Sequence, residues 1–207
     1  MLTHLDREHT VAALYRATVT PRIVEVPELT FLMIDGQGDP STSAEYQDAI
    51  RTLFTLTYSA KFANRRAGVA PARVAPLESL WWADDIGAFE AGDRASWRWT
   101  AMIRQPDDVT ADLIERVAQE ARAKKRLGVT PAARLESFRE GRSGQILHVG
   151  PYTSEGPTIR RLHEFITEQG GRFDPIAQKH HEIYLGDPRR AAPERLRTII
   201  RQPIAAT

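Results

Sequence analysis

The segments WRWTAMIRQP (Trp97–Pro106) and PERLRTIIRQP (Pro193–Pro203) both end in Ile-Arg-Gln-Pro, and this repeat decides the fold class that the sequence predicts. The two copies are offset by 97 residues, from Ile103 to Ile200. Each follows a strand-like segment and an acidic turn, LWWADD in the first copy and EIYLGD in the second. Because self-similarity at a fixed offset indicates a duplicated structural unit, we interpret the chain as two copies of one module.

Upstream of each repeat, the sequence predicts an apolar strand, a turn with Gly and Pro, and an amphipathic helix. The first helix has apolar residues at intervals of three and four and begins with the capping-box spacing TSAE at Thr42–Glu45. The second has the same periodicity and ends at Gly170 and Gly171. Another helix is predicted near the N-terminus, at Asp6–Arg16. The repeated module is therefore strand, helix, strand, strand.

The order of elements predicts an α+β fold, because a helix followed by two strands favours antiparallel pairing with the helices on one face of the sheet. We expect a single domain over residues 1–207, with the first module at about 20–107, a linker helix at about 108–127 and the second module at about 134–207. The two modules should be pseudo-symmetric, with a ligand cleft between the halves. The other sheet face should be concave or covered by a further segment.

Alternation along the strands sorts their side chains onto two faces. In HHEIYL, the odd-numbered residues, which include His181, share one face, and His180, Glu182 and Tyr184 share the other. We expect the more apolar odd-numbered set to face the core, which leaves Glu182 on the face without helices. An offset of 102 aligns this strand with LWWADD and makes Trp82 the counterpart of Tyr184.

Charge and composition exclude several classes of function. The chain has 28 Lys and Arg against 27 Asp and Glu, a net charge of +1, so neither nucleic acid nor a membrane is indicated as a partner. It has no cysteine, which excludes disulfides and thiolate metal sites. Since the sequence shows neither a signal peptide nor an apolar run that could span a membrane, we expect a cytoplasmic protein.

Glu182 is the best candidate for chemistry. No phosphate loop, dinucleotide fingerprint or H-E-x-x-H zinc motif is present, so we predict no cofactor and no metal. Burial among aromatic residues would raise the pKa of Glu182 and make it a general base toward water, or it would serve as the counter-charge for a cationic ligand. A phenol, Tyr184 or Tyr152, could donate to a developing oxyanion. The alternatives are a salt bridge from Glu182 to an arginine such as Arg189, and tryptophans that only fill a core.

Six segments together resemble the GyrI-like small-molecule-binding domain family: VEVPELTFLMIDGQGDP, PLESLWWADD, WRWTAMIRQPDDVT, QILHVGPYTSEGPTIRRLHEFI, HHEIYLGDPRR and PERLRTIIRQPI. The resemblance covers about the whole chain and implies two strand-helix-strand-strand modules with a ligand cleft between them. In drug-binding members, a glutamate in an E-[IVL]-Y context meets the ligand, which here matches Glu182 with Tyr184. From this resemblance we expect Glu182 and Tyr152 to be catalytic residues. The expected ligand-binding residues are Trp82, Trp99, Tyr184, His148 and Met102.

The resemblance implies a stand-alone protein that binds hydrophobic, cationic or electrophilic xenobiotics. The resemblance to some stand-alone members of the family implies an enzyme activity, the hydrolytic opening of cyclopropane-bearing toxins. Two alternatives stay open, a non-catalytic drug-sequestering or sensor module and a gyrase-inhibitor-like interaction protein with a protein partner. The roughly 20 residues before Pro21 are too few for a helix-turn-helix, so we do not expect this chain alone to regulate transcription. We expect a hydrophobic small molecule as its ligand and a monomer or a dimer.

Overall fold

The computed structural model describes residues 10–70, 72–84, 94–124 and 133–205. Within these ranges the fold is mixed α+β, as predicted. The strands are β1 (Arg22–Gln37), β2 (Leu77–Trp82), β3 (Arg98–Arg104), β4 (Arg134–Val149), β5 (His180–Tyr184) and β6 (Arg197–Pro203), and the longer helices are α1 (Ala44–Arg66), α2 (Ala111–Ala123) and α3 (Gly156–Glu168). Residues 10–14 are also helical, and the first part of the predicted helix Asp6–Arg16 lies outside the described residues. None of the described helices has the length and apolar character that crossing a membrane requires.

The chain divides into two compact units. The central unit comprises Leu29–Phe138, and the terminal unit comprises Met1–Glu28 together with Arg139–Thr207. In the central unit β3 lies between β1 and β2, and in the terminal unit β6 lies between β4 and β5, with antiparallel pairing throughout. Each unit therefore has the predicted order strand, helix, strand, strand, and the last strand of each is the middle one of its three.

The core of the central unit forms between its sheet and two helices. Helix α1 begins after Ser43, whose Oγ accepts a hydrogen bond from the Tyr46 backbone N–H at 3.2 Å. The cap is thus one residue later than the predicted Thr42. The predicted linker helix, α2, is present and capped by the Thr110 side chain. Its buried side chains, which include Val117, join the same core, so α2 is a packed element of this unit.

The terminal unit has its own core under α3. Leu162 and Ile166 of this helix pack against Ile146 of β4 and Ile200 of β6. The helix ends at Glu168, and Gly170 follows with a φ of 72°, a conformation that glycine adopts without strain. The predicted apolar stripe and glycine stop are therefore confirmed.

The opposite face of the terminal sheet is covered by the N-terminal segment. Ile183, Ile199 and Leu147 form a buried cluster on this face, and Tyr15 packs against it. The Leu147 N–H donates to the Thr18 carbonyl oxygen at 2.8 Å. Of the two alternatives for this face, the covered one is therefore correct in the terminal unit.

Strand pairing reverses the predicted face of Glu182. Glu182 pairs with Ile200, which packs against α3, so Glu182 and Tyr184 lie on the helix-covered face of the sheet. The expectation that they lie on the face without helices is wrong. Its basis was the apolar odd-numbered set, and those residues instead pack under the N-terminal segment, as Ile183 does.

Strand pairing also gives a different alignment of the two copies from the one predicted. Ile103 and Ile200, which begin the two IRQP copies, pair with Leu77 and Glu182 respectively. The offset in this strand is therefore 105, not the predicted 102. A shift by an odd number of residues exchanges the two faces of a strand. Trp82 is consequently not the counterpart of Tyr184.

Candidate functional site

Glu182 is the centre of a polar cluster inside the terminal unit. The Tyr184 hydroxyl donates to Glu182 Oε2 at 2.7 Å, and His180 Nε2 lies 3.2 Å from Glu182 Oε1. Glu155, at the start of α3, also acts on this carboxyl and contributes to the lowered pKa of Glu182. His180 and Tyr184 flank Glu182 because alternate residues of a strand point to the same face. We call these four residues and Tyr152 the Glu182 cluster.

The hydrogen bonds of this cluster keep Glu182 ionised. Burial by itself would raise the pKa of Glu182, but the hydrogen bond and charge of His180, then the hydrogen bonds from Tyr184 and Glu155, outweigh it and hold the pKa below its usual range. The predicted rise is therefore wrong in direction. The sequence indicated that the residue would be buried but did not reveal how many donors surround it. At neutral pH the cluster holds a largely buried negative charge.

Tyr152 lies at the edge of the cluster, in the turn that precedes α3. Its ring packs edge-on against that of Tyr184 with the ring centres 5.6 Å apart, and 36% of the residue is exposed. Burial, followed by the negative charges of Glu155, Glu182 and Asp187, which are ionised when a phenol titrates, raises the pKa of Tyr152 to about 12. Tyr152 therefore stays protonated at physiological pH and can donate a hydrogen bond.

His148 holds the turn that carries Tyr152. Its Nδ1 lies 3.0 Å from Thr158 Oγ1, and its Nε2 lies 3.3 Å from both the Pro151 carbonyl oxygen and Ser154 Oγ. Both ring nitrogens thus contact the turn or the first part of α3. The structure gives His148 a positioning role, and its predicted role in ligand binding stays a prediction.

The other three predicted ligand-binding residues belong to the central unit. Trp99 is completely buried, packs against Tyr46 with the ring centres 4.9 Å apart, and lies over Gly36, where an added Cβ would be 2.2 Å from its ring. Met102 is also completely buried, and Trp82 is half-buried at the end of β2. Within its own unit Trp99 is a core residue, which agrees with the core-filling alternative. The ligand-binding roles of all three stay predictions.

Neither Glu155 nor His180 was identified from the sequence as a partner of the Glu182 carboxyl. Glu155 stands directly before Gly-Pro, a sequence typical of a helix start, and this signal could have identified Glu155 as the residue that begins α3, although not its position relative to β5. Arg189, the arginine suggested as a partner of Glu182, instead pairs with Asp187 through two hydrogen bonds of 2.9 Å. Among the described residues, no group of three or more His, Asp and Glu is arranged to hold a metal ion.

Comparison with known proteins places the chain in a family. Residues 20–205 match the family model of the GyrI-like small molecule binding domain. Two solved structures from Listeria innocua are similar over 96% of this chain and 98% of their own: an uncharacterized conserved protein with 38% identity and a TM-score of 0.86, and a hydrolase with 36% identity and a TM-score of 0.82. The C-terminal domain of EcmrR has 10% identity and a TM-score of 0.55 over 91% of this chain and 98% of its own, which is a likeness of fold alone. No curated protein matches the sequence. Because the family model matches nearly the whole chain, this protein belongs to the GyrI-like small molecule binding domain family.

Proposed function

We propose that the chain binds hydrophobic small molecules that are cationic or electrophilic at the Glu182 cluster, and that it hydrolyses those with a strained ring, such as cyclopropane-bearing electrophiles. The observation that supports this most is an ionised and largely buried carboxylate beside two phenols. Such a charge attracts a cation more strongly than an exposed one does, because less water screens it. Apolar walls with a few polar groups are typical of small-molecule sites.

In hydrolysis, Glu182 is the general base and Tyr152 is the hydrogen-bond donor to the developing oxyanion. Water attacks a ring carbon, Glu182 accepts a proton from that water, and the strained bond breaks with its electron pair passing to a conjugated carbonyl oxygen. Tyr184 already donates to Glu182, so the partly exposed Tyr152 is the better donor to a substrate. Support for hydrolysis comes from the hydrolase of Listeria innocua at 36% identity.

A second candidate function is binding without turnover. Its support is the pKa of Glu182, which lies below the usual range of a glutamate. A carboxylate that binds its proton weakly is a weaker base, while its charge persists over a wider pH range. In this alternative Glu182 is only a counter-charge for a cationic ligand.

Glu182→Gln separates the two functions, with Glu168→Gln at the exposed end of α3 as a control that makes the same chemical change. We would measure binding of crystal violet, a hydrophobic monocation, by calorimetry. Hydrolysis would be followed by absorbance with the parent spirocyclopropyl cyclohexadienone, whose hydrolysis gives a hydroxyethyl phenol. We expect Glu182→Gln to weaken dye binding about tenfold or more, roughly 1.4 kcal/mol, and to slow hydrolysis about 100-fold or more.

Each outcome has one interpretation. Loss of dye binding with no hydrolysis by the unmodified protein supports the sequestering function. Hydrolysis that persists unchanged in Glu182→Gln rules out the general base, and dye binding that persists unchanged rules out the counter-charge. Glu168→Gln should change neither measurement.

A further inference from the structure

The central unit has a cleft of its own, between helix α1, the end of β3 and the loop that leads from α1 to β2. It contains about 360 Å³ of empty space including its open mouth, which is at the small end for a ligand site. Thr57, Lys61 and Asn64 line it from one face of α1, and Arg73 and Gln105 line it from the loop and from β3. None of the described residues that line this cleft belongs to the Glu182 cluster.

Gln105 brings an unpaired acceptor to this cleft. Its Nε2 donates to Thr57 Oγ1 at 3.0 Å and to the Ile103 carbonyl oxygen at 2.9 Å. These bonds fix the orientation of the amide, because a carbonyl oxygen only accepts. Gln105 Oε1 has no hydrogen-bond partner among the described residues, and only 2% of the residue is exposed. A buried acceptor without a donor is costly, and a molecule in the cleft can supply the donor.

The second Ile-Arg-Gln-Pro copy gives its glutamine a different partner. Gln202 corresponds to Gln105 at the offset of 97 residues and is equally buried. Its Nε2 donates to the Gln178 carbonyl oxygen at 2.6 Å, in the loop between α3 and β5. Gln105 has no such bond to the described residues of the loop between α1 and β2, several of which line the cleft instead. This difference between the two copies leaves room beside Gln105.

The cleft is basic towards solvent. Lys61 is half-buried and Arg73 is exposed, so both lie nearer the mouth than the buried Gln105. Asp108 is the only carboxylate among the described residues of the lining, and it is exposed. Asn64 Nδ2 donates to Asp108 Oδ2 at 3.1 Å and to its carbonyl oxygen at 3.2 Å, which holds Asp108 against α1. The surplus of positive charge favours an anion.

We propose that this cleft is a second binding site, for a small oxyanion that still carries a proton, of which hydrogen phosphate is the simplest. The O–H of the anion donates to Gln105 Oε1, and its negatively charged oxygens accept hydrogen bonds from Lys61 and Arg73 at the mouth. A fully deprotonated anion would place a lone pair against Oε1 and leave it unpaired. The site goes beyond the function proposed above, which concerns only the Glu182 cluster of the terminal unit.

Phosphate and sulfate distinguish this site from simple attraction of anions. The two ions are similar in size and charge at mildly alkaline pH, but only phosphate keeps an O–H there. Calorimetric titration of the unmodified protein at constant ionic strength should give a Kd for phosphate at least about tenfold below that for sulfate, because sulfate leaves Oε1 unpaired. Equal affinity for the two ions would overturn the role of Gln105. Absence of phosphate binding would show that the cleft holds only water and would overturn the site.

Lys61→Gln tests where the anion binds. The substitution removes one positive charge from the mouth and should weaken phosphate binding about tenfold. Lys124→Gln is the matched control, because it makes the same change at an exposed lysine at the end of α2, outside the cleft. Circular dichroism checks that both variants are folded. Phosphate binding that persists at full strength in Lys61→Gln, or that falls equally in both variants, would overturn the assignment to this cleft.

Phenyl phosphate separates free phosphate from a phosphate monoester as the ligand. At mildly alkaline pH the monoester has lost its last ionisable proton, so it should bind as weakly as sulfate does. Tighter binding of phenyl phosphate than of inorganic phosphate would overturn hydrogen phosphate as the ligand. These titrations use neither crystal violet nor the cyclohexadienone, so their result is independent of whether the Glu182 cluster binds or hydrolyses its own ligand.

Discussion

Glu140→Gln tests the account of how the terminal sheet is held on its other face. Glu140 Oε1 lies 2.9 Å from His181 Nδ1, and Oε2 lies 3.2 Å from an Arg201 guanidinium nitrogen. The side chains of Glu140, His181 and Arg201 are exposed by only 1%, 1% and 3%. Arg201 also donates to the Leu14 carbonyl oxygen at 2.7 Å, which ties down the N-terminal segment. The substitution removes one charge and leaves the arginine buried without its counter-ion.

The expected loss of stability is large because all three side chains are buried. Removal of one partner from a buried ion pair costs about 3–5 kcal/mol of unfolding free energy. Burial would raise the pKa of Glu140, but the charges of His181 and Arg201 and their hydrogen bonds outweigh it, and the pKa lies below the ordinary value of 4.5. A depressed folded-state pKa gives stability that is present above the unfolded pKa and is lost as the pH falls through the folded one. Glu140→Gln should therefore also flatten the loss of stability in acid.

Urea unfolding followed by circular dichroism measures both effects, and amide hydrogen exchange of residues 10–18 gives a local readout of the N-terminal segment. Glu136→Gln is the matched control, because Glu136 lies on the same strand in an exposed ion pair with Arg134. We expect the control to lose less than about 1 kcal/mol. A Glu140→Gln variant within about 1 kcal/mol of the unmodified protein, with unchanged exchange at residues 10–18, would refute the reasoning.

Two further predictions concern the helix-covered face. An added Cβ at Gly144 would lie 2.7 Å from the Ile166 side chain, so Gly144→Ala should lower the unfolding free energy by about 1–3 kcal/mol through overpacking. The control is Gly186→Ala, where nothing lies within 4 Å of the added atom. Equal stability of the two variants in urea would contradict the packing of α3 on β4. Thr198→Val should leave stability unchanged or higher, because the buried Thr198 hydroxyl has no hydrogen-bond partner among the described residues. It should raise the KM for the cyclohexadienone, because Thr198 pairs with Tyr184 across the strands and its hydroxyl can bond to a bound substrate. A destabilised Thr198→Val with an unaltered KM would show that the hydroxyl serves the fold and not the ligand.

Periodicity predicted the elements well because it depends on local geometry. The helix stripe that includes Leu162 and Ile166 and the stop at Gly170 follow from spacing and from glycine's conformational freedom, and the structure confirms them. The N-cap of α1 is Ser43, one residue after the predicted Thr42. Either hydroxyl could cap this helix, and only the path of the preceding turn selects one.

The site was predicted less completely because its members come from separate elements. The pattern E-I-Y identified Glu182 and Tyr184 on one strand, and period-two alternation placed them on one face together with His180. Glu155 reaches them from the start of α3, a contact that no spacing in the sequence encodes. The predicted direction of the Glu182 pKa shift was wrong for the same reason, since the pKa depends on hydrogen-bond donors that tertiary contacts contribute.

The sequence by itself determined the duplicated order strand, helix, strand, strand and the family to which the chain belongs, because both depend on local patterns of residues. Only the tertiary structure decided which face of β5 meets α3. Both faces of that strand are buried, one under the helix and one under the N-terminal segment, so hydrophobicity alone could not distinguish them. The pairing of Glu182 with Ile200, which packs under α3, is what assigns the two faces. That register places Glu182 under the start of α3, where Glu155, His180 and Tyr184 set its charge.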